Sequence, residues 1–264
     1  MKNILAYLLL LMGFRTSAQD FSLYQKREFT GAAGQVLPYR ILYPDNYDKT
    51  RTYPLILFLH GSGERGNDNE KQLTHGAKLF LTPENRQAFP CIVLMPQCPD
   101  GGFWGTVKID QSTSPATFDF DYSRPSTPPL DMAVSLLRQV AQTESVDPKR
   151  LYVMGLSMGG MGTFEAVYRN PKLFAAAIPI CGGGDTVRYD KPIKNVPFRV
   201  FHGDADAVVG VNNSRAMVRR LKQLKATVQY TEYPGVNHNS WDNAFAEPDL
   251  LTWLFANKRK RKGV

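Results

Sequence analysis

The sequence predicts an α/β fold, a mostly parallel sheet with helices on both faces, and three observations carry that prediction. Four short apolar runs, at 55–59, 92–95, 151–154 and 198–201, recur along the chain with helix-like stretches between them. Strands buried on both faces read as continuous apolar runs, and the intervening helices supply their cover. The third run passes directly into Gly155-Leu156-Ser157-Met158-Gly159, a G-x-S-x-G turn followed by a small-residue stretch at 158–168 with helical character. A strand that turns sharply into a helix strains the serine backbone and lifts its Oγ clear of the sheet, and only glycines leave room for such a turn.

The elements follow in order. Residues 26–29 and 36–43 read as two strands joined by the tight turn Gly31-Ala32-Ala33-Gly34, an antiparallel edge. The first parallel strand, 55–59, leads into a long connection, 61–90, with a helix-like segment at 70–81. The second, 92–95, leads into another, 99–129, rich in Ser, Thr, Pro and aromatic residues. Both connections leave strand C-terminal ends, where open α/β sheets bind ligands. Helices are expected at 130–143, 158–168, 214–224 and 248–256 from apolar spacing near 3.6, and further strands at 175–180 and 228–233. Neither an internal repeat nor a domain linker interrupts this order.

The 264 residues suffice for one sizeable core, so a single domain is expected over 19–257. Ahead of it Lys2, an apolar stretch at 4–14 and the small residues Thr16-Ser17-Ala18 read as a signal peptide, 1–18. Its eleven apolar residues fall short of the roughly 20 that span a bilayer. No later segment spans either, so the expectation is an exported, soluble protein, periplasmic or extracellular. The net charge of +8 sits mostly at the ends: without Lys2 and Arg15 it is +6, and without Lys258, Arg259, Lys260, Arg261 and Lys262 it is +1. The basic tail 258–264 therefore reads as a solvated end and not as a nucleic-acid surface. Of three cysteines, Cys91 and Cys98 flank one strand too long to bridge; Cys98 with Cys181 is geometrically open, and unlinked, partly buried thiols are the simpler reading.

Serine is a weak nucleophile without a base within hydrogen-bond reach and a carboxylate to orient that base. Four histidines limit the choice. His60 and His202 each end a buried strand before glycine and read as structural, and His75 lies in the helix-like 70–81. His238, in a polar loop after the last strand, is the candidate base. For the acid, Asp204, Asp206, Asp185 and Asp242 all occur near strand ends. Asp206 has the reach to curl toward the base, while Asp204 is better placed to cap the turn. An oxyanion hole needs two donors: the Met158 amide at a helix start, and one from His60-Gly61-Ser62-Gly63, where Ser62 is the choice. Phe103, Trp104, Phe118, Phe120 and Tyr122 crowd the second connection, as an acyl pocket or sugar-stacking surface or as a local core under a long loop. Glu64 and Arg65 are expected to pair, and Trp241 to pack behind His238. No metal-ligand spacing occurs and the chemistry needs no cofactor.

These motifs, His60-Gly61-Ser62-Gly63-Glu64-Arg65-Gly66, Pro96-Gln97-Cys98-Pro99, the serine turn, His202-Gly203-x-x-Asp206 and His238-x-x-Trp241, resemble the α/β-hydrolase superfamily over nearly all of 24–256. Within it the chain resembles exported esterases akin to feruloyl and acetylxylan esterases, polyhydroxybutyrate depolymerase-like esterases and dienelactone hydrolase. The resemblance implies an α/β-hydrolase fold with an eight-stranded sheet, Ser157 as nucleophile, Asp206 as acid, His238 as base, and Ser62 and Met158 as oxyanion donors. It implies a serine esterase acting through an acyl-enzyme on small-molecule or polysaccharide-linked esters. Phe103, Trp104 and Trp241 are the candidate substrate-binding residues. Ala207-Val208-Val209-Gly210 departs from the proline common in that turn, which touches loop stiffness only. Two other readings compete: a prolyl oligopeptidase-like peptidase, which would lack its propeller, and a non-catalytic carbohydrate-binding protein on a hydrolase scaffold.

Overall fold

Eight apolar or alternating segments pair into one sheet in the computed structural model, which describes residues 20–259. The strands are β1 (Gln25–Thr30), β2 (Val36–Leu42), β3 (Tyr53–Leu59), β4 (Ile92–Pro96), β7 (Val146–Leu156), β8 (Ala176–Ile180), β9 (Phe198–Gly203) and β10 (Val228–Tyr233). A separate hairpin, β5 (Val107–Asp110) with β6 (Thr117–Phe120), lies between β4 and β7 along the chain. Across the sheet the order is β1-β2-β4-β3-β7-β8-β9-β10. The edge is antiparallel, β1 on β2 and β2 on β4, and the remaining pairs run parallel, in keeping with the sequence reading. The α-helices among the described residues are α1 (Pro83–Ala88), α2 (Pro128–Thr143), α3 (Met158–Arg169), α4 (Asn212–Gln223), α5 (Trp241–Ala246) and α6 (Leu250–Ala256).

The period-2 rule explains how one sheet makes two cores. On β3, Leu55, Leu57 and Leu59 join the layer under α2, α3 and α4, while Ile56 and Phe58 join Leu250, Leu251 and Leu254 of α6 on the other face. All five are fully buried. A parallel strand covered on both sides therefore has no polar position to spare, and this is why it reads as an unbroken apolar run.

Several expectations need correction. Residues 70–81 form no α-helix but two 3₁₀ turns, Lys71–Leu73 and Ala77–Phe80. Gly76 between them adopts φ +81, and a Cβ there would lie 2.3 Å from the Phe58 ring, so the chain must break its helix to cross that ring. The β5–β6 hairpin and helices α1 and α5 go beyond the elements expected from the sequence. Helix α6 starts at Leu250, two residues past Pro248. Among the described residues no helix is long and apolar enough to cross a membrane. The expected signal peptide, 1–18, lies outside the described residues, as do residues 260–264 of the basic tail. Arg259, at the tail's start, is tied back by its amide to the Lys149 carbonyl at 2.9 Å.

Candidate active site

Helix α3 can start where it does only because glycine flanks the serine. A Cβ on Gly159 would lie 1.9 Å from the Leu59 carbonyl oxygen, and one on Gly155 would lie 2.5 Å from the Gly159 oxygen. Real side chains cannot enter such gaps, so these two glycines let α3 pack backbone to backbone against β3. Ser157 between them holds φ +53, ψ −118, the strained turn expected of an exposed nucleophile. It is 7 % exposed.

The strand ends that follow bring two more loops to this serine. A Cβ on Gly203 would lie 2.1 Å from the Val236 carbonyl oxygen, so the loop after β10 lies directly on the end of β9. The Ala205 amide donates to the Val236 carbonyl, Ala207 donates to Asn237 Oδ1, and Asp204 Oδ1 accepts from the Gly235 amide. Asp204 thus caps the turn, as its position suggested. His238, carried by that loop, places Nε2 2.9 Å from Ser157 Oγ and Nδ1 2.8 Å from Asp206 Oδ2. Three side chains separated by up to 81 residues therefore form one hydrogen-bonded line.

Asp206 is buried, which by itself disfavours its charge, yet donors surround it. Oδ1 accepts from the Val208 and Val209 amides at 2.9 Å each, and Oδ2 accepts from both His238 and His202, the latter at 3.1 Å. These bonds outweigh the desolvation and hold the carboxyl far below the usual carboxylate range. The acid is therefore ionised at neutral pH. The other candidate acids are spent locally: Asp185 accepts from the Tyr122, Val187 and Arg188 amides, and Asp242 from the Asn239 side chain.

The loop after β3 crosses in front of the serine. A Cβ on Gly61 would sit 3.7 Å from Ser157 Cβ. Ser62, exposed, opens the 3₁₀ turn Ser62–Glu64, and Met158 opens α3, whose first amides have no partner within the helix. His60 braces this loop from behind. Its Nε2 accepts from the Cys98 amide at 2.9 Å, so Nδ1 carries the hydrogen given to the Gly61 carbonyl at 2.6 Å. Burial lowers its pKa to about 4, and the ring stays neutral. Gln97 donates to the Glu64 carbonyl and accepts from the Asn69 amide, completing the brace.

Three sequence expectations fall differently. Trp104, expected at the substrate, is 0 % exposed and donates its indole N–H to the His60 carbonyl at 3.1 Å, so it supports the loop from inside. Phe103 is half-buried against the same core. Glu64 and Arg65 do not pair: Arg65 donates to the Ser62 and Gly102 carbonyls, whereas Glu64 turns inward with Oε1 3.7 Å from His75 Nε2. Burial raises the Glu64 carboxyl, with the imidazoles of His75 and His238 pulling the other way. Trp241 stands edge-on to His238 with ring centroids 5.3 Å apart and also flanks His75 at 5.0 Å. Sequence reasoning missed the bond from His202 to the acid; the H-G-x-x-D spacing, with His four residues before Asp, was the available signal.

All three cysteines are free and buried. Among the described residues the ligand atoms of Cys181, Asp206 and His238 lie within 4.8 Å of one another. Two of these groups face each other in the triad, and burial keeps the Cys181 thiol protonated. That leaves a poor donor set for a resident metal.

The sequence profile of the dienelactone hydrolase family matches residues 119–249. "Probable carboxylesterase SOBER1-like" of Arabidopsis thaliana is 28% identical over 200 residues, 70% of this chain and 72% of that one. A bifunctional acetylxylan esterase/xylanase, XynS20E, of Neocallimastix patriciarum is 26% identical over 169 residues, 64% of this chain and 22% of that one. A solved thermostable esterase is 37% identical with a TM-score of 0.81, covering 90% of this chain, which spans 64% of that esterase's length.

Proposed function

We propose that the chain is a carboxylesterase on an α/β-hydrolase fold, a reading supported by its similarity to the dienelactone hydrolase family profile, to a probable carboxylesterase and to a solved thermostable esterase, and that it acts as follows. Ser157 Oγ attacks the ester carbonyl while His238 Nε2 takes its proton; Asp206 holds the Nδ1–H tautomer and stabilises the imidazolium. The Met158 and Ser62 amides are the donors assigned to the oxyanion, the first at the start of α3 and the second on the loop after β3. The imidazolium then protonates the leaving alkoxide, and a water molecule, deprotonated by the same nitrogen, releases the acid from the acyl-enzyme.

The observation that carries this reading is the unbroken line from Oγ to Nε2 at 2.9 Å and from Nδ1 to Oδ2 at 2.8 Å. We further propose acyl groups linked to plant polysaccharides as the substrate and export as the route to it. The acetylxylan esterase named above supports the first, and the signal-like residues 1–18 support the second. Phe118 and Phe120, half-buried on one face of the β5–β6 hairpin with rings 6.2 Å apart, offer an aromatic surface beside the strand ends.

The test compares wild type with Ser157→Ala on p-nitrophenyl acetate, acetylated xylan, methyl ferulate and a peptide p-nitroanilide, alongside fluorophosphonate labelling. The expected result is labelling and ester turnover in wild type, both lost in the variant, with acetylated xylan ahead of the anilide. Preference for the anilide would make the protein a peptidase. An active, purified Ser157→Ala would end the triad reading.

A further inference from the structure

Asp206 is the meeting point of two imidazoles, and only one of them belongs to the triad. His202 ends β9 with its ring 0 % exposed. Its Nε2 lies 3.1 Å from Asp206 Oδ2 and 2.8 Å from the Val209 carbonyl, while Nδ1 lies 2.7 Å from Ser214 Oγ on α4. Ser214 Oγ in turn lies 2.9 Å from the Gly182 carbonyl beyond β8. The line therefore runs from Gly182 through Ser214, His202, Asp206 and His238 to Ser157.

Counting hydrogens along this line assigns the direction of one bond. Nε2 of His202 faces two oxygens, a carboxylate and a carbonyl, neither of which can donate. An unprotonated Nε2 would set its lone pair against both. Ser214 has a single hydroxyl hydrogen, which goes either to Gly182 or to Nδ1. In the first case the ring carries hydrogen on both nitrogens, and in the second on Nε2 alone. Either way, Nε2 carries a hydrogen, shared between the Val209 carbonyl at 2.8 Å and the acid at 3.1 Å.

We propose that His202 is a positioning residue of the catalytic acid, a buried donor that fixes the Asp206 carboxylate toward His238 and draws off part of its charge. The proposal rests on the triad reading above. With the Val208 and Val209 amides on Oδ1 and the two imidazoles on Oδ2, each carboxylate oxygen meets two donors and the group cannot rotate. The same ring ties three segments together: the end of β8 through Ser214 and Gly182, β9 through itself, and the acid loop through Val209. Removing it leaves Asp206 freer to turn and more strongly charged toward His238. A more negative neighbour stabilises the imidazolium, so the pKa of the base rises. The other charged groups near the two rings, Glu64 acting on His238 and Glu232 paired in register with His202 on β10, stay in place. Any movement of the base's titration then reports on the His202–Asp206 bond.

The experiment compares His202→Gln, His202→Asn and His202→Met with wild type, each scaled to the sites titrated by a fluorophosphonate and each followed over pH for kcat/KM. Gln carries an amide N–H at the distance of Nε2, whereas the shorter Asn reaches only the place of Nδ1. His202→Met and His202→Asn should lose roughly 10- to 100-fold in kcat per titrated site with KM little changed, and their acid limb should move to higher pH. His202→Gln should recover to within several-fold of wild type with the limb restored. Should His202→Met fail to fold, the Gln and Asn pair decides alone. Equal turnover and an unmoved limb in His202→Asn, or a Gln variant no better than Asn, would overturn the proposal. Ser157→Ala run in parallel separates the two readings: its inactivity beside a normal His202→Asn rejects only the role of His202, while its activity rejects the triad and this proposal together.

Discussion

Replacing Asp206 by Asn exchanges one carboxylate oxygen for an NH2 group and leaves the shape alone, so its effect can be worked out from the bonds around it. The Asn side chain has one acceptor oxygen. The Val208 and Val209 amides, both 2.9 Å from Oδ1, hold that oxygen together, and the buried Val209 amide has no substitute partner. The amide nitrogen must then take the place of Oδ2 and present a hydrogen to His238 Nδ1, while the Nε2–H of His202 turns to the Val209 carbonyl. His238 answers by placing its own hydrogen on Nε2. That hydrogen points at Ser157 Oγ, 2.9 Å away, and the base can no longer receive the serine proton. Where a triad acid is replaced by its amide and the geometry is kept, kcat falls by about 10⁴, roughly 5.5 kcal/mol of transition-state stabilisation, and the same wrong tautomer is enforced here. The assay is steady-state hydrolysis of p-nitrophenyl acetate by Asp206→Asn, with circular dichroism to show an unchanged fold. A variant retaining more than about a tenth of wild-type kcat would refute the tautomer argument and with it the role of Asp206.

Gly159→Ala puts a methyl group where the Leu59 carbonyl oxygen is 1.9 Å away, backbone against backbone, so neither side can yield cheaply. The cost should reach or exceed the upper end of overpacking, about 3 kcal/mol, and thermal melts should show a Tm lower by about 10 °C or no soluble protein. Trp104→Phe keeps the ring but leaves the His60 carbonyl without its donor, which should lower stability by about 1–3 kcal/mol in urea unfolding and reduce kcat without abolishing it. His60 is held neutral in the fold, with its pKa depressed to about 4. The unfolded chain therefore binds the extra proton between its ordinary value near 6.5 and about 4. The stability contributed by the neutral ring is complete above pH ~6.5 and declines as pH falls toward about 4, by up to about 3 kcal/mol. Urea midpoints measured from about pH 7 to about pH 4 should fall across that window in wild type and less in His60→Gln, and parallel curves would count against the buried neutral ring.

The order of strands and helices was legible because each is encoded within a few residues. The β3 run alternates its side chains into two cores, the serine turn carries its own glycines, and the last strand is followed by a lone polar histidine, so elimination among four histidines reached His238. Segment 70–81 has helical spacing but crosses the Phe58 ring at Gly76, a contact made by a residue far away in the sequence, so spacing alone misread it.

Direction, burial and pairing belonged to the tertiary structure. Nothing near Trp104 in the sequence says that its indole turns inward to the His60 carbonyl, and nothing near Glu64 says that it faces His75 and not Arg65. A loop residue has no period to reveal its inner side, and its partner is chosen by whichever strand end the fold brings beside it. The same holds for Asp206, whose second imidazole arrives from its own strand only because β8, α4 and the loop after β10 close around it. Local residue types supplied the reactive groups, while long-range packing decided their distances, because the 2.9 Å bond from His238 to Ser157 needs every intervening element to be in place.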